Sequence, residues 1–305
     1  LLLPKFQEEQ SIENLDIQEI GGCRMFNIKG KDFDLFNKSY TMGILNITSD
    51  SFSDGGKYLD IEEAKKRALK IIDEGADIID IGAESSRAGA IPVSLEEELD
   101  RIIPIMDALK DIEVPISIDT YKAQVAKEAI KRGASIINDI SGFKKDKDMA
   151  KVVAETGVYC VLMHMRKNPS DMLEDPYYED VVEEVIEELR ESIEIAKNAG
   201  VSDDKIILDP GIGFAKDFKH NLELLKNIDK FEDLGYPLLL GVSRKTFIGS
   251  ILNSEPQDRL EGSLAVASYI ATKTPAIMRV HDVKETVKVL KVINAIKNFG
   301  ENQEE

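Results

Sequence analysis

Polar side chains stand directly after short apolar runs at intervals along this chain. In order they are Asn46; Glu84, Ser86 and Arg87; Asp119; Asn138 and Asp139; His164 and Arg166; Asp209 and Lys216; Ser243, Arg244 and Lys245; and Arg279, His281 and Asp282. Any one of them could simply begin a turn, because Asn, Asp and Ser are ordinary turn residues. Their recurrence after nearly every apolar run instead indicates one shared site.

The types of these residues suit two kinds of ligand. Two acids, an asparagine and a lysine match a flat heterocycle, because a carboxylate can accept from a ring N–H and an adjacent amino group as it does from arginine. Asn46, Arg87, Arg279 and His281 could instead hold an anion such as phosphate. The sequence has no His/Cys/Asp cluster with catalytic-zinc spacing and no serine in a GxSxG elbow, so neither of those chemistries is indicated.

The apolar runs alternate with helical patterns, and this alternation predicts the fold. The apolar runs lie at 41–47, 76–82, 114–118, 135–140, 158–163, 205–208, 238–241 and 276–280. Helical spacing is found at 61–73, 94–110, 122–132, 147–155, 181–198, 221–226, 246–252, 262–272 and 283–298. Such alternation calls for parallel strands joined by right-handed crossovers, and eight repeats in roughly 250 residues is the size of a (β/α)₈ barrel.

We therefore predict an α/β protein with a single (β/α)₈ TIM barrel over 40–300. Residues 1–39 form an extension, expected to be a short β-hairpin that packs on the barrel, and 301–305 form a tail. A doubly wound open sheet is the alternative, but it usually has fewer strands, and no GxGxxG follows the first strand here. In a barrel the carboxyl ends of the strands converge, which would bring the polar residues together.

Composition excludes several classes of protein. The formal net charge of −18 over 305 residues argues against sequence-independent nucleic-acid binding. No apolar run approaches the roughly 20 residues of a membrane span. The two cysteines, Cys23 and Cys160, lack metal-ligand spacing and fit a reducing compartment. The first ten residues, LLLPKFQEEQ, do not resemble a signal peptide, so we expect a cytoplasmic protein.

The polar strand ends stand in longer motifs that resemble the dihydropteroate synthase family. The motifs are TMGILNITSDSFSDGG, DIGAESSRAGA, PISIDT, IINDISGF, VLMHMRKNP, ILDPGIGFAK, GVSRKTFIG and MRVHDV, in the family's order over 40–298. The resemblance implies a pterin-binding barrel that condenses 6-hydroxymethyl-7,8-dihydropterin diphosphate with para-aminobenzoate. The products would be 7,8-dihydropteroate and diphosphate, in folate synthesis. It also implies Mg²⁺ as cofactor, a homodimer, and inhibition by sulfonamides.

Carried over by motif, the resemblance implies a subsite for each part of the reaction. The pterin would be bound by Asp119, Asn138, Met163, Asp209, Phe214 and Lys245. The diphosphate would be bound by Asn46, Arg87, Arg279 and His281, with Asn46 also ligating Mg²⁺. Para-aminobenzoate would be bound by Phe52, Ser86, Arg87, Ser243 and Lys245. The residues expected to be catalytic are Asp119, Lys245, Arg279, His281 and Asn46.

The implied chemistry is a largely dissociative departure of diphosphate that leaves a cationic pterin. Asp119 would stabilise the developing positive charge, while Mg²⁺, Arg279 and His281 would stabilise the leaving group. The amine of para-aminobenzoate would then attack, with its carboxylate oriented by Ser243 and helix-terminal amides. No side chain need act as a nucleophile.

Two loops depart from the family's pattern, and we expect both of them to be mobile. Ala83, Ser86 and Ala88 stand where the second motif usually has Gly, Thr and Pro, and Ser49 replaces a usual Pro in the first. Loss of Pro at 88 frees φ, so we expect a more mobile second loop and altered affinity for para-aminobenzoate and sulfonamides. We read 48–56 as a mobile lid whose Phe52 reaches the para-aminobenzoate side.

Two other functions fit parts of this pattern. A methyltetrahydrofolate:corrinoid methyltransferase shares the barrel and the pterin-holding Asp and Asn residues, but the SRK and MRVHDV motifs suit para-aminobenzoate and diphosphate instead. A non-catalytic paralogue that binds pterin without turnover is supported only by the altered second loop. The complete set of polar strand ends argues against it.

Overall fold

Two short antiparallel strand pairs precede the main sheet. β1 (Glu19–Ile20) pairs with β2 (Cys23–Arg24), and β3 (Phe26–Ile28) pairs with β4 (Lys31–Phe33). The computed structural model describes residues 19–20, 23–47, 57–85, 89–167, 172 and 176–299. Within these ranges the extension contains the β-hairpin expected from the sequence. The hairpin that packs on the barrel is the second pair, β3 and β4.

The main sheet consists of eight parallel strands in the described part of the chain. They are β5 (Tyr40–Asn46), β6 (Ile78–Gly82), β7 (Ile116–Asp119), β8 (Ile136–Asp139), β9 (Tyr159–Met163), β10 (Ile206–Asp209), β11 (Leu239–Leu240) and β12 (Ile277–Val280). Hydrogen bonding gives the order β10-β9-β8-β7-β6-β5-β12-β11. A parallel bridge between Leu208 and Leu238, with the Leu208 N–H donating to Pro237 O at 2.9 Å, joins β10 to β11. This contact closes the sheet, so the predicted barrel is confirmed and the open sheet is excluded.

Helices follow the strands on the outside of the barrel. Those described are α1 (Lys57–Asp73), α2 (Leu95–Ala108), α3 (Ala123–Ile130), α4 (Met149–Thr156), α5 (Val181–Asn198), α6 (Phe218–Lys226), α7 (Thr246–Leu252), α8 (Leu260–Lys273) and α9 (Val283–Lys297). None of them is long and apolar enough to cross a membrane.

Side-chain capping fixes the starts of α6 and α2. The helix that contains the predicted 221–226 begins at Phe218, because Asp217 accepts from the His220 N–H at 2.8 Å and the His220 ring accepts from the Asp217 N–H in a reciprocal capping box. At α2, Ser94 Oγ accepts from the Glu97 N–H at 3.2 Å, which is one half of a capping box. The Glu97 carboxylate, however, pairs with Arg101.

Two apolar regions stabilise the barrel. The larger one fills the space between strands and helices and includes Ile79, Ile118 and Val185. The smaller one lies inside the barrel at the amino ends of the strands, where Phe26 and Ile28 of the hairpin pack against strand residues such as Ile136. The hairpin therefore covers the end of the barrel at the strand amino ends. The carboxyl ends of the strands form the other end, where the polar residues lie.

Candidate active site

Four neighbouring strands place a row of small and polar residues at the carboxyl end of the barrel. Asn46 is the register partner of Gly82, Gly82 of Asp119, and Asp119 of Asn138. A Cβ atom at Gly82 would lie 3.4 Å from Asp119 Cβ and 3.7 Å from Asn46 Oδ1. The structure thus brings together three of the residues that the sequence assigned to one site.

Arg279 connects this row to a second buried carboxylate. Its Nη2 donates to Asp119 Oδ2 at 2.6 Å, and its Nε donates to Asp80 Oδ2 at 2.6 Å. Asp80 is fully buried, and among the described residues its Oδ1 finds no hydrogen-bond partner. When both carboxylates are ionised, this group of three carries a net negative charge.

Burial and neighbouring charges set the protonation of this cluster. Burial raises the pKa of Asp119 to about 7; the Arg279 guanidinium lowers it, and the Asp80 carboxylate raises it. Burial alone would lower the pKa of Arg279, but Asp80 and Asp119 together raise it above its ordinary value. Arg279 is therefore always charged, while Asp119 titrates near neutral pH.

A second group of predicted residues lines the side of β10 and β11. Lys245 Nζ lies 4.3 Å from the centroid of the Phe214 ring, and Phe214 belongs to a small apolar cluster with Met163. Asp209 is buried nearby, where its Oδ1 accepts from the Gly211 N–H at 2.7 Å. Burial lowers the pKa of Lys245 to about 8, and the Asp209 carboxylate opposes this shift. These residues supply a carboxyl group, an amine and two apolar walls.

The ends of β11 and β12 are joined by side chains on the following loops. Ser243 Oγ lies 3.2 Å from His281 Nδ1 and accepts from the His281 N–H at 3.2 Å. Arg244 pairs with Asp282, and its φ of +58° turns the chain before Lys245. Arg244 and Asp282 thus hold the loops, while Ser243, Lys245 and His281 remain close to the barrel mouth.

Several polar strand ends stabilise loops. Asp139 accepts from Ser141 N–H and Oγ at 2.7 Å and from the Phe143 N–H at 3.2 Å. Glu84 accepts from Tyr121 Oη at 2.8 Å and from Lys122 Nζ at 2.5 Å. The Asp139 contacts are local, as a turn-forming role requires, whereas Glu84 connects the end of β6 to the loop after β7.

Three predicted site residues, Phe52, Ser86 and Arg87, lie outside the described residues. So do the expected lid at 48–56 and the substitutions at Ser49 and Ala88, and the predictions made for them stay predictions. Asp80, by contrast, is a member of the cluster that the sequence reading missed. A signal was available, because an acid in the middle of the apolar strand IIDIG has to find a partner once it is buried.

The sequence also matches known proteins over most of its length. The family model of the pterin binding enzymes matches residues 42–281. A dihydropteroate synthase of Clostridium beijerinckii is 50% identical over 271 residues, which cover 88% of this chain and 98% of that protein. The chain belongs to the dihydropteroate synthase family. Membership makes it a transferase of folate biosynthesis and confirms the resemblance found in its motifs.

Solved structures of dihydropteroate synthases share the fold. The enzyme of Clostridium difficile, determined in the presence of pteroic acid, has a TM-score of 0.82 and 44% identity over 87% of this chain and 98% of that one. The Yersinia pestis dihydropteroate synthase with a sulfonamide drug complex has a TM-score of 0.84 and 40% identity over 90% of this chain and 99% of that one. Neither comparison supports the corrinoid methyltransferase alternative.

Proposed function

We propose that this chain condenses 6-hydroxymethyl-7,8-dihydropterin diphosphate with para-aminobenzoate at the carboxyl end of its barrel. The observation that carries the proposal is the buried pairing of Asp119 with Arg279, beside the row that contains Asn46 and Asn138. A relative was solved in the presence of pteroic acid, which joins a pterin to an aminobenzoate. The site and the family therefore point to the same two substrates.

The pterin subsite is proposed to lie between Asp119 and Lys245. Asp119, Asn138 and Asp209 offer oxygens that can accept from the ring N–H and amino groups, and Lys245 can donate to a ring acceptor. Asn138 Oδ1 is buried, and among the described residues it has no hydrogen-bond partner. A buried acceptor of this kind is costly unless a ligand supplies the donor. Met163 and Phe214 would cover the ring as apolar walls.

Asp119 is proposed to carry the main electrostatic part of catalysis. Departure of diphosphate leaves positive charge on the pterin, and a fixed carboxylate beside the ring N–H stabilises that charge without reorganising during the step. The group must be ionised to do so, and its pKa of about 7 makes ionisation sensitive to pH near neutrality. The amine of para-aminobenzoate then forms the new C–N bond to the methylene carbon, and the resulting ammonium loses its proton to solvent.

Asn46, Arg279 and His281 are proposed to bind the diphosphate, together with Arg87. Arg279 has five N–H groups, and its bonds to Asp80 and Asp119 use two of them. The other donors can bind anionic oxygens, so one guanidinium would connect the leaving group to the carboxylate that stabilises the cation. Its negative partners hold it in place before the substrate arrives.

Mg²⁺ fits this site only together with the substrate. Among the described residues no group of three or more His, Cys, Asp and Glu side chains could hold a metal ion. Asn46 supplies a single amide oxygen, and Mg²⁺ commonly takes one or two protein oxygens while diphosphate and water fill its other positions. When bound there, the ion would neutralise charge on the departing diphosphate.

Para-aminobenzoate is proposed to bind near Ser243 and Lys245, and the motifs add Phe52, Ser86 and Arg87 as further binding residues. The Ser243 hydroxyl and the Lys245 ammonium can both donate to a carboxylate. Sulfonamides would occupy the same place, because a relative forms a complex with such a drug.

A homodimer in the cytoplasm is the proposed form of the enzyme. Tyr269 on α8 and Val292, Ile296 and Phe299 on and after α9 are large apolar side chains with exposed fractions of 43%, 59%, 66% and 83%. Val292, Ile296 and Phe299 line one surface depression, and exposed apolar patches usually mark an interface. The buried free thiol of Cys160 fits a reducing compartment.

Product formation tests the proposed function. The purified chain is incubated with both substrates and MgCl₂, and 7,8-dihydropteroate is measured by chromatography. We expect product only when both substrates are present, a loss of product with EDTA, and competition between a sulfonamide and para-aminobenzoate. Pterin binding without any product would instead support the non-catalytic paralogue.

A further inference from the structure

A buried lysine beneath the proposed pterin subsite has no part in the chemistry described so far. Lys216 lies on the loop between β10 and α6 and is only 2% exposed. Its Nζ donates to the Phe214 carbonyl oxygen at 3.0 Å and lies 2.9 Å from His164 Nδ1. The side chain thus folds back under its own loop and joins it to the end of β9. A buried amine is costly unless such bonds compensate for its lost hydration.

The His164 ring connects Lys216 to Glu188 on α5, and only one of its two ring nitrogens can be the hydrogen-bond donor. Its Nε2 lies 3.0 Å from Glu188 Oε2, and Arg166 also pairs with Glu188. Burial and the nearby Lys216 ammonium lower the pKa of His164 to about 3, so its ring is neutral and carries one N–H. Because a carboxylate can only accept, that N–H belongs to Nε2. The lone pair on Nδ1 therefore accepts from Lys216.

The loop that Lys216 supports is tightly packed and carries one wall of the subsite. The His164 N–H donates to Asp209 O at 2.8 Å. A Cβ atom at Gly211, whose φ is +71°, would lie 1.9 Å from the His164 carbonyl oxygen, so the two segments are in direct contact. The same loop carries Phe214, whose ring faces Lys245. A small shift of this loop would therefore move Phe214 relative to Lys245.

We propose that Lys216 is a positioning residue for pterin binding, which fixes Phe214 through its bonds to the Phe214 carbonyl and the His164 ring. The proposal rests on the proposed function, because it assumes that Phe214 covers the pterin. Lys216 does not itself reach the ligand in this arrangement, since it is buried and donates to two protein acceptors. Its effect is on the shape of the subsite.

The test compares two substitutions of His164 that each keep one half of its contacts. In His164→Asn the side-chain oxygen stands near the position of Nδ1 and can still accept from Lys216. In His164→Gln the side-chain NH₂ stands near the position of Nε2 and can still donate to Glu188. The affinity for 6-hydroxymethyl-7,8-dihydropterin diphosphate is measured by calorimetry without para-aminobenzoate, and the melting temperature is recorded for each variant.

We expect His164→Asn to bind the pterin diphosphate nearly as well as the wild type. His164→Gln should bind it about tenfold more weakly, as expected for one lost hydrogen bond to a buried amine, whose pKa burial lowers to about 7. Lys216→Met should weaken binding at least as much. Lys273→Met is the matched control, because Lys273 also donates to a carbonyl, Lys226 O at 2.8 Å, and to a carboxylate, Asp229 Oδ1 at 3.1 Å, but on the outer surface. It should bind like the wild type.

The possible outcomes separate the two proposals. A wild type that binds no pterin diphosphate contradicts the proposed function. If the wild type binds it, and His164→Gln and Lys216→Met bind it as tightly as the wild type does, the positioning role is overturned. This holds even if the melting temperatures of the two variants fall. Equal weakening in His164→Asn and His164→Gln also overturns it, since the contact with Lys216 would then not be the one that matters.

Discussion

At the scale of single residues, the centre of the site is an arginine shared by two acids. Arg279 donates to Asp80 and to Asp119 at 2.6 Å each. If Asp119 were the only partner, the pair would be neutral and would stabilise a cationic pterin weakly. Asp80 supplies the second negative charge, so a net negative field remains where positive charge develops.

The charge on Asp80 should be visible in the pH dependence of the reaction. Asp119 has a pKa of about 7 and must be ionised, so kcat/KM of the wild type should fall as the pH falls through about 7. The Asp80 carboxylate raises this pKa. Asp80→Asn should therefore move the acid limb to lower pH, while its plateau drops about tenfold or more because Arg279 loses a charged partner.

Ser117→Ala is the control for this measurement. Ser117 is the register partner of Asp80 on the neighbouring strand, is equally buried and carries no charge. Its removal should leave the acid limb in place. An acid limb of Asp80→Asn that stays at the wild-type pH, or moves to higher pH, would show that Asp80 does not act on Asp119.

At the scale of elements, the hairpin and the strand ends have separate tasks. Phe26 is 2% exposed and packs in the apolar cluster at the amino end of the barrel. The neighbouring Met25 is 40% exposed. Phe26→Ala should reduce the free energy of unfolding by about 3–5 kcal/mol, as usual for a buried Phe, whereas Met25→Ala should change it by less than about 0.5 kcal/mol.

Urea unfolding of both variants checks this prediction, with kcat measured on the folded protein. We expect kcat to stay at the wild-type value in both, because the hairpin lies at the end of the barrel opposite the site. A fall in kcat for folded Phe26→Ala would mean that the hairpin also shapes the active centre.

The order of elements could be predicted from the sequence because it depends on local patterns. Apolar runs and helical spacing repeat along the chain, and α5 spans the predicted 181–198. The contacts of Asp80 and Lys216 could not be predicted in this way. Each depends on a partner more than 45 residues away, and only the closed barrel brings such residues together.

The candidate site was predictable to a similar extent. Motif order placed Asn46, Asp119 and Asn138 at strand ends, and parallel register then makes them neighbours. The motifs assigned Arg279 to catalysis and to the diphosphate, and the structure adds its pairing with two acids. This pairing depends on where the side chains lie in the folded barrel, so it cannot be predicted from the apolar runs of the sequence.

At the scale of the whole molecule, the apolar face formed by Val292, Ile296 and Phe299, on and after α9, should hold the two copies of the proposed homodimer together. Ile296 is 66% exposed on this face, and Ile195 on α5 is an exposed isoleucine on another side of the barrel. Ile296→Asp should convert the dimer to a monomer in analytical ultracentrifugation, because a charge cannot be buried in an apolar interface without a partner. Ile195→Asp should remain dimeric. A wild-type monomer, or a dimer unaffected by Ile296→Asp, would contradict this assignment.

Release of diphosphate by the wild type and by Asp119→Asn is the most direct test of the account. Both proteins are supplied with pterin diphosphate, para-aminobenzoate and Mg²⁺, after calorimetry has shown how tightly each binds the pterin. We predict that Asp119→Asn folds normally and releases diphosphate at least about 100-fold more slowly than the wild type at saturating substrates, as for the loss of one preorganised electrostatic group. Near-normal release by Asp119→Asn would contradict the claim that Asp119 stabilises the developing cation.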